Sequence, residues 1–318
     1  MIIDVFCHHI SESVDKMMHK SIHYGEGKEF PYPPQNADPE ARLGLMEKYG
    51  IDMQVLSQTT PILLDLSVED ALEVCRLSNQ DNYSLCKAYP DKFVNVCIFH
   101  LVDMKRSLEE LDRCINELDC RGVTISSNQE GKGLDSPEFF PFYEKAVEHD
   151  LPIFIHGTHW DAPPLMDMEN SWRFLHIFGW DYDATQALWR LIMGGVLDRF
   201  PTMKIVTHHL GNYFPFFVKR IEQNFEWQLS DKLPRHISEY YGNIYGDTAV
   251  DGTPGAFPCG YAFFGADRMM YGSDYPFGLE AGEFFIRENL ACVKAMPIPD
   301  EQKRKILGEN AKRLLKIA

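Results

Sequence analysis

Excess positive charge is missing from this chain: 31 Lys and Arg against 47 Asp and Glu leave a formal net charge of -16 over 318 residues. Proteins that grip nucleic acid or anionic membrane do so with basic patches, so the balance argues against both as partners. Paired cysteine motifs are missing too. The eight cysteines, at 7, 75, 86, 97, 114, 120, 259 and 292, include no C-x-x-C and are scattered through strand-like and helix-like segments. They read as buried free thiols of a reducing compartment, not as a disulfide framework or zinc knuckle. No apolar window approaches the length of a membrane span, and no basic-then-apolar leader precedes Met1-Ile2-Ile3-Asp4-Val5-Phe6, so the expectation is a soluble cytoplasmic protein. There is no G-x-S-x-G elbow, no thiol-hydrolase motif and no phosphate-cradling glycine loop, Gly131-Lys132-Gly133 being too short. Nucleophilic and nucleotide chemistry lose their usual signatures.

What is present is a sizeable core, with 45% hydrophobic and 13% aromatic residues, and a regular alternation of short apolar runs and amphipathic stretches. Strands are expected at Ile2–Cys7, Asp52–Ser57, Phe93–Phe99, Gly122–Ser126, Leu151–His156, Lys204–Thr207, Asn243–Asp247 and Met269–Ser273. Between them the pattern predicts helices from Asp38-Pro39 to Tyr49, over Glu69–Ala88, Lys105–Leu118, Pro137–His149, Ala184–Phe200, Pro215–Leu229, Glu280–Met296 and Asp300–Ile317. Two long loops are expected, one of about thirty residues after the first strand and an aromatic-rich one over Gly157–Asp181. No linker, low-complexity segment or close repeat divides the chain, so residues 1–318 are expected to form one domain. Eight βα units point to a closed parallel TIM barrel, (β/α)8, with a doubly wound open sheet as the competing architecture.

In such a barrel the chemistry gathers at the carboxyl ends of the strands. His8 closes the first strand, His156 the fifth, His208-His209 the sixth, and Asp274 follows the eighth just before a proline turn. Any one of them alone reads equally well as a satisfied core or turn residue. Together they aim imidazoles and a carboxylate at one mouth, a donor set suited to a single divalent ion, zinc or manganese. An open sheet would separate strands one and eight and dissolve the set.

These residues resemble a known family. Ile3-Asp4 with His8, Pro152-Ile153-Phe154-Ile155-His156, Ile192-Met193-Gly194-Gly195-Val196, Phe200-Pro201 with Lys204-Ile205-Val206, His209-x-Gly211 with Pro215-Phe216 and Arg220-Ile221, Tyr271-Gly272-Ser273-Asp274-Tyr275-Pro276-Phe277 and Ile306-Leu307-Gly308-Glu309-Asn310-Ala311-Lys312-Arg313-Leu314 are similar to the amidohydrolase superfamily. The branch is amidohydrolase 2, that of aminocarboxymuconate-semialdehyde decarboxylase and related decarboxylases. The resemblance implies a metal-dependent barrel in which His8, His156 and Asp274 bind the metal and His209 and Asp274 are catalytic. It also implies a small carboxylate substrate and a homodimer. The chain departs from the pattern at its first strand: the family's Asp-x-His-x-His is here Asp4-Val5-Phe6-Cys7-His8, so Phe6 stands where a metal-binding histidine is usual. Arg42, Trp172 and Arg173 are candidates to grip the substrate. The expected reaction is non-oxidative decarboxylation of a small aromatic or unsaturated acid. Metal-dependent hydrolysis or hydration on the same barrel, and a catalytically impaired binding protein, are the competing readings.

Overall fold

The computed structural model describes residues 1–21, 37–158 and 174–317. His159, Trp160, Trp172 and Arg173 lie outside the described residues. Among the described residues the barrel strands are β1 (Ile3–His8), β2 (Met53–Ser57), β3 (Phe93–Asn95), β4 (Cys97–Phe99), β5 (Val123–Ser126), β6 (Ile153–His156), β7 (Ile205–Thr207), β8 (Ile244–Asp247) and β9 (Met269–Met270), with a small hairpin of Asn128–Gln129 and Lys132–Gly133 apart from them. β1, β2 and β3 pair in that order, β4 to β9 pair in sequence order, and every pairing among these barrel strands is parallel. β3 and β4 are one stave interrupted at Val96, which leaves the eight staves expected.

The ring closes between the first and last staves. Val5 N–H donates to Tyr271 O at 2.9 Å, Asp274 N–H to Phe6 O at 2.8 Å and His8 N–H to Tyr275 O at 2.7 Å. Buried Asp4 adds a side-chain clasp, accepting from Ser273 N–H at 2.9 Å and Ser273 Oγ–H at 2.6 Å. The fold is a TIM barrel, and its core has the two layers that closure creates. Val5, Val55, Phe154, Val206 and Met270 fill the interior with Ala311 and Leu314 from the C-terminal helical segment. Alternate strand residues, among them Phe99, Val123, Ile125 and Ile205, face outward onto Leu111, Phe142, Leu188 and Ile192. Each fully buried side chain of this size contributes about 1.5–3 kcal/mol.

Local chemistry sets the helix ends. Asp38 caps α2 (Pro39–Tyr49) by accepting from Glu40 N–H and Ala41 N–H at 3.0 and 3.2 Å, and Gly50 ends it at φ 69. Ser67 caps α3 (Val68–Ala88) in the same way. Both long loops prove partly helical. After β1, α1 (Glu12–Met18) is a helix capped by Ser11; at seven residues it is too short for periodicity to register, yet Val14 and Met18, one turn apart, pack against Val74 and Cys75 of α3. After β6, helical structure resumes by Leu175–Gly179 and runs into Trp180–Met193, earlier than the Ala184 start expected. Gly179 looks like a helix breaker in sequence but is carried inside this helical run, beside the Leu175 side chain. The eighth strand ends at Met270, short of Ser273, because the chain turns into its seam contacts.

Candidate active site

Staves deliver the polar residues to one end of the barrel. His8, the last residue of β1, places Nε2 3.0 Å from Asp274 Oδ1. Asp274 has φ 68, a left-handed conformation that Asp and Asn tolerate better than most residues, and it turns the carboxylate back over the mouth. His156 ends β6, and its Nδ1–H donates to Gly157 O at 2.7 Å. A carbonyl only accepts, so this bond fixes the tautomer and leaves Nε2 as the basic nitrogen. The two residues after β7 diverge. His208 donates Nδ1–H to Asp247 Oδ2 at 2.5 Å and stays buried, whereas His209, at φ 50, donates Nδ1–H to Ala249 O at 2.7 Å and joins the cavity lining. Asp247, fully buried at the end of β8, also accepts from His209 N–H at 3.1 Å and Ala249 N–H at 3.0 Å.

His8, His156, His209 and Asp274 therefore line one cavity of about 990 Å³, with Asp181, Trp180 and Phe277 beside them. Phe6 lies beneath, stacked on His208 with ring centroids 3.7 Å apart at 17°, and its ring centroid is 4.7 Å from that of His8, 5.5 Å from His209 and 5.9 Å from His156. Gly272 is required at this point: a Cβ would meet Asp247 Cβ at 2.9 Å and Phe6 Cβ at 3.0 Å. Among the described lining residues are four aspartates, Asp65, Asp181, Asp251 and Asp274, and no Lys or Arg.

Burial and charge set the protonation states. Burial drives the imidazole of His156 well below its usual value, helped by the neighbouring histidines His8 and His208, so it is neutral and able to donate a lone pair. Burial lowers His208 as well, against the pull of Asp247. For His209 burial acts downward, but the carboxylates of Asp181, Asp274 and Asp247 outweigh it and raise the imidazole to about 9. Burial raises Asp181 and Asp251. It also raises Asp4 to about 7, against the hydrogen bonds from Ser273, Gln54 and Phe6.

Among the described residues no three His, Cys, Asp or Glu side chains form a ready-made cage, since His8 Nε2 and Asp274 Oδ1 contact each other directly. The chemistry of the donors nevertheless suits a divalent ion: a neutral imidazole with its tautomer locked by a backbone carbonyl, a second imidazole and a carboxylate, all on one cavity. Phe6 contributes no donor.

Of the sequence-selected residues, His8, His156, His209 and Asp274 are brought together. Arg42 is not with them. Its guanidinium is buried and turned to the backbone of His8 and to Gln54, outside the cavity lining, so the expectation that it grips substrate is corrected: a side chain on α2 packed over the seam has backbone acceptors nearer than the mouth. Trp172 and Arg173 fall outside the described residues. Sequence reading passed over Asp181, Asp247 and Asp251. Asp247 closes a strand just as the chosen histidines do and was open to the same argument. Asp181 and Asp251 sit in connecting segments whose direction no pattern encodes.

Comparison with known proteins places the chain in a family. The amidohydrolase family model matches residues 3–317. A 2-amino-3-carboxymuconate-6-semialdehyde decarboxylase of Dictyostelium discoideum is 30% identical over 292 residues, covering 90% of this chain and 79% of that one. A gamma-resorcylate decarboxylase of a Rhizobium species is 27% identical over 307 residues, covering 87% of each chain. Among solved structures, 5-carboxyvanillate decarboxylase of Novosphingobium aromaticivorans, complexed with manganese and 4-hydroxy-3-methoxy-5-nitrobenzoic acid, superposes with a TM-score of 0.88 at 22% identity, covering 100% of this chain and 96% of that one. At that identity the structural likeness speaks for the barrel fold, and the family match over almost the whole sequence decides the membership: this chain belongs to the amidohydrolase family.

Proposed function

We propose that this protein is a divalent-metal-dependent, non-oxidative decarboxylase of a small aromatic or unsaturated carboxylic acid. The observation that carries the reading is the meeting of His8, His156, His209 and Asp274 on one cavity. The decarboxylase names of the similar proteins in Dictyostelium and Rhizobium support it. His8, His156 and Asp274 would hold the ion. Manganese is the first choice, because the Novosphingobium neighbour was solved with it, and zinc the second. A bound divalent ion supplies a Lewis acid that orients the substrate carboxylate and offsets negative charge developing as CO₂ leaves.

The chain's own residues supply the rest. Trp180 and Phe277 give the cavity flat apolar walls against which a planar ring can lie. The bond to the carboxyl carbon breaks, its electron pair stays on the ring or vinyl carbon, and a proton must arrive there. His209 is suited to deliver it from Nε2, because Nδ1 is committed to Ala249 O and the surrounding carboxylates favour the charged imidazolium. Asp274, one of the carboxylates that favour the charged His209, would help hold that proton in place. Reprotonation of His209 from solvent completes the cycle.

The decisive experiment incubates the manganese-loaded protein with carboxylated phenols and muconate-type acids and measures CO₂ together with the mass of the product. The expected result is equimolar CO₂ and decarboxylated product, lost on chelation and restored by Mn²⁺. A product heavier by one water with no CO₂ would instead mark a hydratase and overturn the proposal. We further infer a homodimer, since Ile177, Phe178, Phe216 and Phe217 leave apolar surface exposed near the mouth. A monomer by light scattering at micromolar concentration contradicts it. The eight free cysteines fit the reducing cytoplasm, where we place the protein.

A further inference from the structure

Arg42 is 1% exposed, and among the described residues no carboxylate pairs with it. Burying an unpaired guanidinium is costly, and its Nε–H finds no acceptor among those residues. Its remaining contacts converge on the seam. Nη2–H donates to the backbone carbonyl of His8, Nη1–H donates to Gln54 Oε1 at 3.1 Å, and the guanidinium carbon lies 4.8 Å from the centre of the Tyr275 ring.

The same groups are tied to the two residues that face each other across the mouth. Gln54 Nε2–H donates to Asp4 Oδ2 at 3.2 Å, and Asp4 accepts from both Ser273 N–H and Ser273 Oγ–H. Ser273 Oγ in turn accepts from Tyr275 N–H at 3.0 Å, while His8 N–H donates to Tyr275 O at 2.7 Å. Arg42 therefore bonds the residue that carries one imidazole donor, covers the ring of the residue following Asp274, and through Gln54 and Asp4 reaches the residue preceding it. One planar cation spans both ends of the closing seam, and a point-charge ammonium cannot reproduce its forked donors.

We propose that Arg42 is a positioning residue that holds His8 beside Asp274, so that a divalent ion need only part the two side chains to gain both donors. This rests on the metal-dependent reading above and extends it to a residue outside the cavity lining. Because the bonds end on the His8 backbone, the Gln54 amide and an aromatic face, all outside the described cavity lining, the effect falls on metal affinity and on the turnover rate rather than on substrate capture.

The test compares the full-length wild type with Arg42→Lys and Arg42→Met. Calorimetric titration of the metal-free proteins with Mn²⁺ is read alongside their melting temperatures, with kcat and KM for a substrate that the wild type turns over. The expected result is a loss of Mn²⁺ affinity of roughly 10- to 100-fold in both variants, as for other residues that orient metal-binding side chains. Arg42→Lys should still melt cooperatively, and kcat should fall more than KM rises. Mn²⁺ binding within about twofold of wild type in a folded variant overturns the proposal. If the wild type binds no Mn²⁺ and releases no CO₂, the decarboxylase reading has failed instead. Crystal structures of metal-free wild type and Arg42→Lys then judge the positioning alone: a His8 ring displaced from Asp274 supports it, and an unchanged pair overturns it.

Discussion

Replacing Asp274 by Asn is the sharpest probe of the site, because it changes charge and little else. Asn accepts the left-handed backbone at φ 68 about as readily as Asp, has the same shape, and keeps the backbone N–H bond to Phe6 O. Asp274 is also partly exposed at 19%, so the substitution buries no new unpaired group and should cost stability only the charged share of its bond to His8, about 0.5–2 kcal/mol. What it removes is the anionic oxygen 3.0 Å from His8 Nε2. Hydrogen bonds to charged groups are worth about 1.5–3 kcal/mol against about 1 for neutral ones. Loss of that charge from a metal-binding trio should therefore weaken Mn²⁺ binding by roughly 10- to 100-fold at about 1.4 kcal/mol per decade. Turnover at saturating Mn²⁺ should fall by about 10²-fold or more, since the Asp274 charge also favours the protonated His209. The assay is calorimetric Mn²⁺ titration beside CO₂ release, with urea unfolding as the control. An Asn variant that binds Mn²⁺ within about threefold of wild type and still releases CO₂ at the parent rate would falsify the assignment of Asp274 to both roles.

Three further outcomes follow from the same geometry. Phe6→His places a nitrogen among the rings of His8, His156 and His209, so Mn²⁺ affinity should rise by about tenfold or more, while the metal-free protein loses about 1–3 kcal/mol to an unsatisfied buried imidazole; unchanged affinity means the ring at position 6 does not point at the ion. His9 is buried, donates Nδ1–H to Asn82 Oδ1 at 2.7 Å, and is lowered by burial from 6.5 to about 4. A base lowered in the folded state gives stability that is present above pH 6.5 and lost as pH falls through 4, here up to about 3 kcal/mol, and His9→Gln should flatten that part of the urea-midpoint profile; parallel profiles for the two proteins contradict the account. The described cavity lining has four aspartates and no Lys or Arg, so monocarboxylated phenols should give a higher kcat/KM than their dicarboxylated analogues, by about tenfold; equal values would mean that a cation outside the described residues faces the substrate.

The alternation of βα units was legible because it is local. A run such as Val123–Ser126 or Ile153–His156 announces a buried strand by its β-branched and aromatic residues, and Asp38-Pro39 and Ser67 announce helix starts by the side-chain oxygens that cap them. Once the strands are counted, the polar residue closing each one is placed at the mouth, which is why His8, His156, His209 and Asp274 could be chosen without coordinates. Tertiary structure decided what depends on contacts between residues far apart in the chain. Closure itself rests on hydrogen bonds such as Val5 to Tyr271 and on the clasp of Asp4 by Ser273, which no local period encodes. The stacking of Phe6 on His208, the turning of His209 into the cavity while His208 stays buried on Asp247, and the redirection of Arg42 from a supposed substrate grip to the backbone of His8 are of the same kind. A long polar side chain goes to whichever partners satisfy its hydrogen bonds at the least cost of burial, and only the assembled barrel sets which partners are within reach.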